Sequence, residues 1–145
     1  MLVTTRWFGD IEVQEDEIFT FPQGLPGFPD HQRFMIIRNE GEIPVSYLQS
    51  VDEGELAFIL ADPFYFFPGY QVELTEGMKE ELGMPEPEDL VIMVMLSVPD
   101  SLEDATANLL APLAIHTKTR TGKQLVLHQS EYKTKHKLIP ENQGG

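Results

Sequence analysis

Residues 45–61 constrain the fold most strongly. Two runs rich in aliphatic, aromatic and β-branched side chains, residues 45–51 and 55–61, flank Asp52, Glu53 and Gly54. Those three read as the loop of a hairpin, a type I turn that ends on a left-handed glycine. Asp62-Pro63 then stops the second strand, because proline has no N–H to give to a ladder. Phe64, Tyr65, Phe66 and Phe67 follow at once, with Tyr70 close behind. A paired scaffold therefore runs into an apolar loop, and a loop of that composition suits binding better than catalysis.

The rest of the chain reads as further short strands, in keeping with its 11 Gly and 11 Pro. Residues 2–8 form a strand ending at Gly9-Asp10, and residues 11–13 return beside it. Glu15, Asp16 and Glu17 make a solvated turn before a strand at 18–21. Phe21-Pro22-Gln23-Gly24-Leu25-Pro26-Gly27-Phe28 is a rigid loop whose apolar side chains are pinned to the core. A core-plugging turn is preferred there to a ligand loop, and the spacing of a phosphate-binding loop is absent. Residues 33–38 give a strand with Phe34 and Ile36 on one face. Tyr70, Val72 and Leu74 alternate with Gln71 and Glu73, which predicts a strand buried on one face.

Thr75 is a suitable N-cap for one short α-helix near residues 76–82, with Met78 and Leu82 on one side and Gly83 and Pro85 as the stop. Residues 90–98 are apolar on both faces and read as the central buried strand. Residues 113–117 and 124–128 pair around Thr121-Gly122-Lys123, which would set His116 opposite His128. The expected architecture is a mainly β, antiparallel, barrel-like single domain over residues 1–130 with one short α-helix. Residues 131–145 read as a polar, basic and flexible C-terminal tail.

Charge is unevenly placed. Residues 1–104 carry 22 acids against Arg6, Arg33, Arg38 and Lys79, while the remaining residues carry two acids and six bases, giving −14 overall. An acidic body cannot neutralise phosphates, which argues against direct nucleic-acid binding and suits a basic protein partner, with solubility alone as the other reading of the charge. No cysteine is present, no signal-peptide pattern opens the sequence, and the longest apolar run is too short to span a bilayer. The expected location is the cytoplasm.

Catalytic patterns are missing. The four histidines fit no zinc spacing, no serine sits in GxSxG, and Thr121-Gly122-Lys123 lacks the upstream glycine of a phosphate loop. No cofactor and no small-molecule substrate is implied. Carboxylate pairs such as Asp52 with Glu55 keep a small carboxylate-dependent hydrolase open as an alternative, and a purely structural interaction module is a third reading.

Several stretches taken together resemble the FliW family of bacterial flagellar assembly factors. They are the Phe21 to Phe28 segment, Leu48-Gln49-Ser50-Val51, Leu56-Ala57-Phe58, Asp62-Pro63, Val98-Pro99, Thr106-Ala107-Asn108-Leu109, Ala111-Pro112 and Gly122-Lys123-Gln124. Each is weak alone, but the ordered set is specific. The resemblance implies a non-enzymatic protein that binds flagellin in the cytoplasm. When free of flagellin, it binds the RNA-binding translational repressor CsrA and relieves its block on flagellin synthesis. The expected partner contacts are Tyr47, Gln49, Phe64, Tyr65, Phe66 and Phe67, Asn108 in the matched motif, and the acids Glu80, Glu81, Glu86 and Glu88. Those acids also read simply as a solvated helix face and loop.

Overall fold

The computed structural model describes residues 1–128 and 130–139 of the chain. Its strands are β1 (Leu2–Thr4), β2 (Asp10–Glu12), β3 (Ile18–Thr20), β4 (Arg33–Arg38), β5 (Val45–Ser50), β6 (Ala57–Ala61), β7 (Leu90–Ser97), β8 (Thr106–Ala107), β9 (Leu113–His116), β10 (Thr121–Gln124) and β11 (His136–Lys137). Two short helices, α1 (Pro63–Phe66) and α2 (Glu76–Glu81), are the only α-helices among the described residues. Seven strands close a barrel in the order β7-β6-β5-β4-β3-β10-β9, with β9 returning to β7. Neighbours are antiparallel except β3 and β10, which run parallel at Thr20 and Thr121.

Alternation assigns the two faces of the wall. Phe34, Leu48, Leu60, Leu113 and Ile115 turn into the barrel with Phe21 and Leu25, and all are buried. Each such side chain contributes roughly 1.5–3 kcal/mol on leaving water. The opposite face of the same strands is also apolar, so the barrel needs covers on its outside. The β1–β2 hairpin covers Met35 and Val51; α2, through Met78 and its C-cap Leu82, covers Ala114 and Leu125; α1 and the C-terminal segment cover Ala61, Val94 and Ala107.

The closed, mainly β architecture agrees with the sequence reading, and β4 has the expected bounds. A second helix is new. Asp62 does end β6, but its carboxylate then accepts the Phe64 N–H and Pro63 takes the first helical position, so one helical turn starts where only a loop was expected. The loop after β5 also differs. Gly54 is not left-handed; Ser50 N–H donates to Leu56 O and Leu56 N–H to Glu53 O, while a Cβ on Gly54 would stand 2.6 Å from Thr4 O. That glycine admits the β1 backbone.

The β9–β10 turn lies at residues 117–120, with Arg120 at φ 56°, and Thr121–Gln124 is a strand. His116 therefore pairs with Thr121, not His128, and its Nδ1 lies 2.8 Å from Leu82 O. Gly122 lies under the Phe21 ring, which a Cβ would meet at 2.5 Å. Residues 70–75 alternate in burial as expected yet belong to no strand. β7 is central by pairing, but only Val94 is fully buried; Val91, on the same face as Met93 and Met95 and opposite Ile115, is 39% exposed near the start of the strand. Past residue 130, Tyr132 packs on Tyr70 at 4.7 Å between centroids, β11 pairs with β8, and Leu138 is buried.

The Phe21 to Phe28 loop plugs one end of the barrel with Phe21 and Leu25, whereas Phe28 stays 38% exposed. Gly24 and Gly27 both have positive φ, at 66° and 82°, but only Gly24 is crowded, since a Cβ there would stand 2.5 Å from Phe28 O. Gly27→Ala should therefore cost only the left-handed penalty of roughly 1–2 kcal/mol. Gly24→Ala should cost well over ~2 kcal/mol because backbone must also move. Urea unfolding of the two variants checks the order.

Candidate functional site

One group of exposed aromatic side chains lies against Tyr47 on the outer wall of β5. Tyr47 points outward from β5 between Ile37 and Ile59 and is half-buried. Trp7 and Phe8 pack edge-on against it, at 5.6 and 4.9 Å between centroids, and Arg6 lies over the Trp7 ring at 5.0 Å. A tight turn presents these residues: Thr5 N–H and Oγ1 both donate to Gly9 O, and the Thr5 hydroxyl accepts from Phe8 N–H. Trp7 and Phe8 remain 45% and 42% exposed. Neither is among the contacts expected from the sequence, where two large aromatics beside Gly9-Asp10 were the available signal.

Gln49 anchors that turn from below. It is 1% exposed, its Oε1 accepts the Arg6 N–H at 3.0 Å, and its Nε2 donates to Gly54 O, Ser50 O and Leu56 O. Every polar atom of the side chain is thus used within the protein, and it holds the aromatic loop to the β5–β6 turn. The structure places it under the surface formed by Trp7, Phe8 and Tyr47.

The second aromatic group divides. Phe64 and Tyr65 are 45% and 64% exposed, whereas Phe66 and Phe67 are half-buried and pack on the Ala61, Tyr70 and Val94 cluster. Tyr70 is buried beneath them and donates its hydroxyl to Leu109 O at 2.6 Å; burial raises its phenol well above the ordinary tyrosine value. Asn108 is half-buried and its side chain accepts the Ala111 N–H at 3.0 Å, which fixes the turn after β8.

The acids do not form one uniform field. Glu80 and Glu81 lie on α2, and Glu86 and Glu88 on the following turn, all exposed or nearly so. Glu81 is ion-paired with Lys123, whose Nζ also donates to Gln23 Oε1. Glu80, Glu86 and Glu88 have no ion pair among the described residues. Asp52 is committed elsewhere: Arg33 donates to both its oxygens at 2.6 and 3.2 Å and holds its carboxyl below the ordinary range. A carboxylate stabilised in its charged form is a poor general acid.

The fold and these placements define a seven-stranded barrel that carries aromatic surfaces on its outer wall. The family model described as FliW protein matches residues 2–138. A relative from Alkaliphilus metalliredigens (strain QYMF), named flagellar assembly factor FliW, is 41% identical over 144 residues, covering 99% of this chain and 89% of its own. One from Geobacillus kaustophilus (strain HTA426), of the same name, is 42% identical over 141 residues and 97% of each chain. The crystal structure of a flagellar assembly factor FliW superimposes with a TM-score of 0.92 at 40% identity, over 97% of this chain and 99% of that one. The chain belongs to the FliW family.

Two measurements test the local assignments. Gln49→Ala should cost roughly 1–3 kcal/mol, since it leaves the Arg6 N–H and two loop carbonyls without their partner. It should also shift the emission of Trp7, the single tryptophan, as the loop comes free. Asp52→Asn should cost under ~1 kcal/mol at neutral pH, because the pair with Arg33 is exposed. Its folded carboxyl is depressed, so this stability is present above the unfolded value of about 4 and is lost as pH falls through the lower folded value. Denaturant melts of wild type and variant should converge in acid.

Proposed function

We propose that this protein is a non-enzymatic flagellar assembly factor that binds flagellin in the cytoplasm. When free of flagellin, it binds CsrA and relieves repression of flagellin synthesis. One observation carries the reading: large aromatic side chains, Trp7, Phe8, Phe64 and Tyr65, stand exposed on the outer wall of a barrel whose interior is filled. Exposed rings on a rigid scaffold provide binding area at low entropic cost. The family relatives named as flagellar assembly factors support the biological setting.

Each partner matches a different chemistry. An amphipathic flagellin segment would bury its apolar face on the rings, as helices dock into apolar grooves. A basic RNA-binding protein would be attracted by the net charge of −14 and by Glu80, Glu86 and Glu88, and the same charge repels RNA. No helix among the described residues is long and apolar enough to cross a membrane. Gln49 and Asn108 act here as supports for the contact surfaces, and Tyr47, Phe66 and Phe67 as their base.

Titration of CsrA bound to a flagellin-leader RNA tests the switch. RNA should be released as the protein is added, and prior addition of flagellin should abolish the release. Retention of RNA, or release indifferent to flagellin, would refute it. Trp7→Ala and Tyr65→Ala separate the two aromatic surfaces: loss of a central ring should weaken the partner that uses it by about tenfold or more. Unchanged affinity for both partners in both variants would move the contact to another face.

A further inference from the structure

A groove of about 650 Å³ lies between residues 71–75 on one side and residues 126–128 and 130–132 on the other, and none of the exposed rings described above lines it. On one wall Val72 and Leu74 turn into the core while Gln71 and Glu73 face solvent, the alternation of a strand. No strand pairs with them among the described residues. The N–H groups of Val72, Glu73 and Leu74, and the carbonyls of residues 71–74, have no hydrogen-bond partner among the described residues.

The other wall is also an extended edge. Leu125 and Leu127 donate to Pro112 O and Leu110 O at 2.8 and 2.9 Å, so the intervening Val126 N–H points away from that pairing. It too is unpaired among the described residues. The 71–74 wall therefore offers main-chain donors and acceptors, and the facing wall adds one donor, the Val126 N–H, while the Val126 carbonyl accepts the His128 N–H at 3.0 Å. Its side chains add selectivity: Leu74, Met78 and the 38%-exposed Val126 are apolar, while Glu73 and Glu131 carry negative charge at its rim. Neither acid has an ion pair among the described residues, and no Lys or Arg lines the groove.

We infer that this groove captures an extended peptide segment as an added β-strand, with apolar side chains against Leu74, Met78 and Val126 and Lys or Arg against Glu73 and Glu131. Main-chain pairing gives such a site its affinity, and alternate side chains give it selectivity. The acids steer a cationic strand to the edge and disfavour an acidic one. Strand capture here does not depend on flagellin or CsrA being the partner, since none of Trp7, Phe8, Phe64 and Tyr65 lines the groove.

The probe is an acetylated, amidated heptapeptide of alternating lysine and valine, titrated into the full-length isotope-labelled protein and followed by amide NMR. Its counterpart carries N-methyl groups on alternate residues, which leaves charge and side chains unchanged but removes donors. Saturable shifts are expected at Val72, Glu73, Leu74 and Val126, with about tenfold or greater loss of affinity on N-methylation. Glu73→Lys and Glu131→Lys should each weaken binding of the unmethylated peptide several-fold. Equal affinity for the two peptides would mean diffuse attraction to an acidic protein and overturn the inference. Shifts centred on Phe64 and Tyr65, or no shift at millimolar peptide, would overturn it as well.

Discussion

The pairing of β7 with β9 is the constraint on which the structure depends. β7 uses one edge twice: Leu90 to Met93 pair with β9, and Leu96 and Ser97 pair with β8, while its other edge takes β6 through Val94 to Leu96. Only a strand as long as these eight residues can serve both partners on one edge. Its apolar character on two faces follows, because Met93 and Met95 border the barrel interior while Ile92, Val94 and Leu96 meet the outer cover. Closure removes the open edges that a seven-strand sheet would otherwise present.

A filled barrel moves function to its outside. The interior is occupied by Phe21, Phe34, Leu48 and Leu60, so recognition must use the outer wall or the segments that cover it. The three covers leave gaps, and the largest rings stand beside them: Trp7 and Phe8 at the edge of the β1–β2 cover, Phe64 and Tyr65 on α1. Gln49 connects the two levels. It sits on a barrel strand yet directs its hydrogen bonds to the loop that presents Trp7, so a surface side chain is positioned by a buried one.

Much of the wall was legible because alternation and punctuation coincide there: β4 ends where its apolar run ends, and Thr75 caps α2 through the Met78 N–H. The departures share a physical cause. Gly54 and Gly122 look like turn glycines in sequence, but each is small because another group lies against it, the Thr4 carbonyl in one case and the Phe21 ring in the other. A glycine required for close approach and one required for positive φ carry the same letter. Residues 70–75 show the converse, since alternation reports one-sided burial and not the presence of a ladder. At the site, the excess of Phe64 to Phe67 over what a hairpin needs pointed to four exposed rings, and only Phe64 and Tyr65 are exposed, because Phe66 and Phe67 pack on the cluster of Ala61, Tyr70 and Val94. The burial of Gln49 was not, because its partner Arg6 lies 43 residues away.

The parallel contact of β3 with β10 has a consequence for the order of events during synthesis. Gln23 and Lys123, which join the plug loop to β10, are separated by 100 residues, and β3 has no second neighbour until β10 exists. The β3–β4–β5–β6 meander can assemble from local hairpins, but the ring cannot shut before β10, about 100 residues beyond the plug loop, has been made. Non-local closure of this kind places folding on the order of milliseconds to seconds, not microseconds. Until β10 and β9 dock, the pairing order leaves one edge of β3 without its partner, so closure of the ring is also what removes that edge from reach of a neighbouring chain.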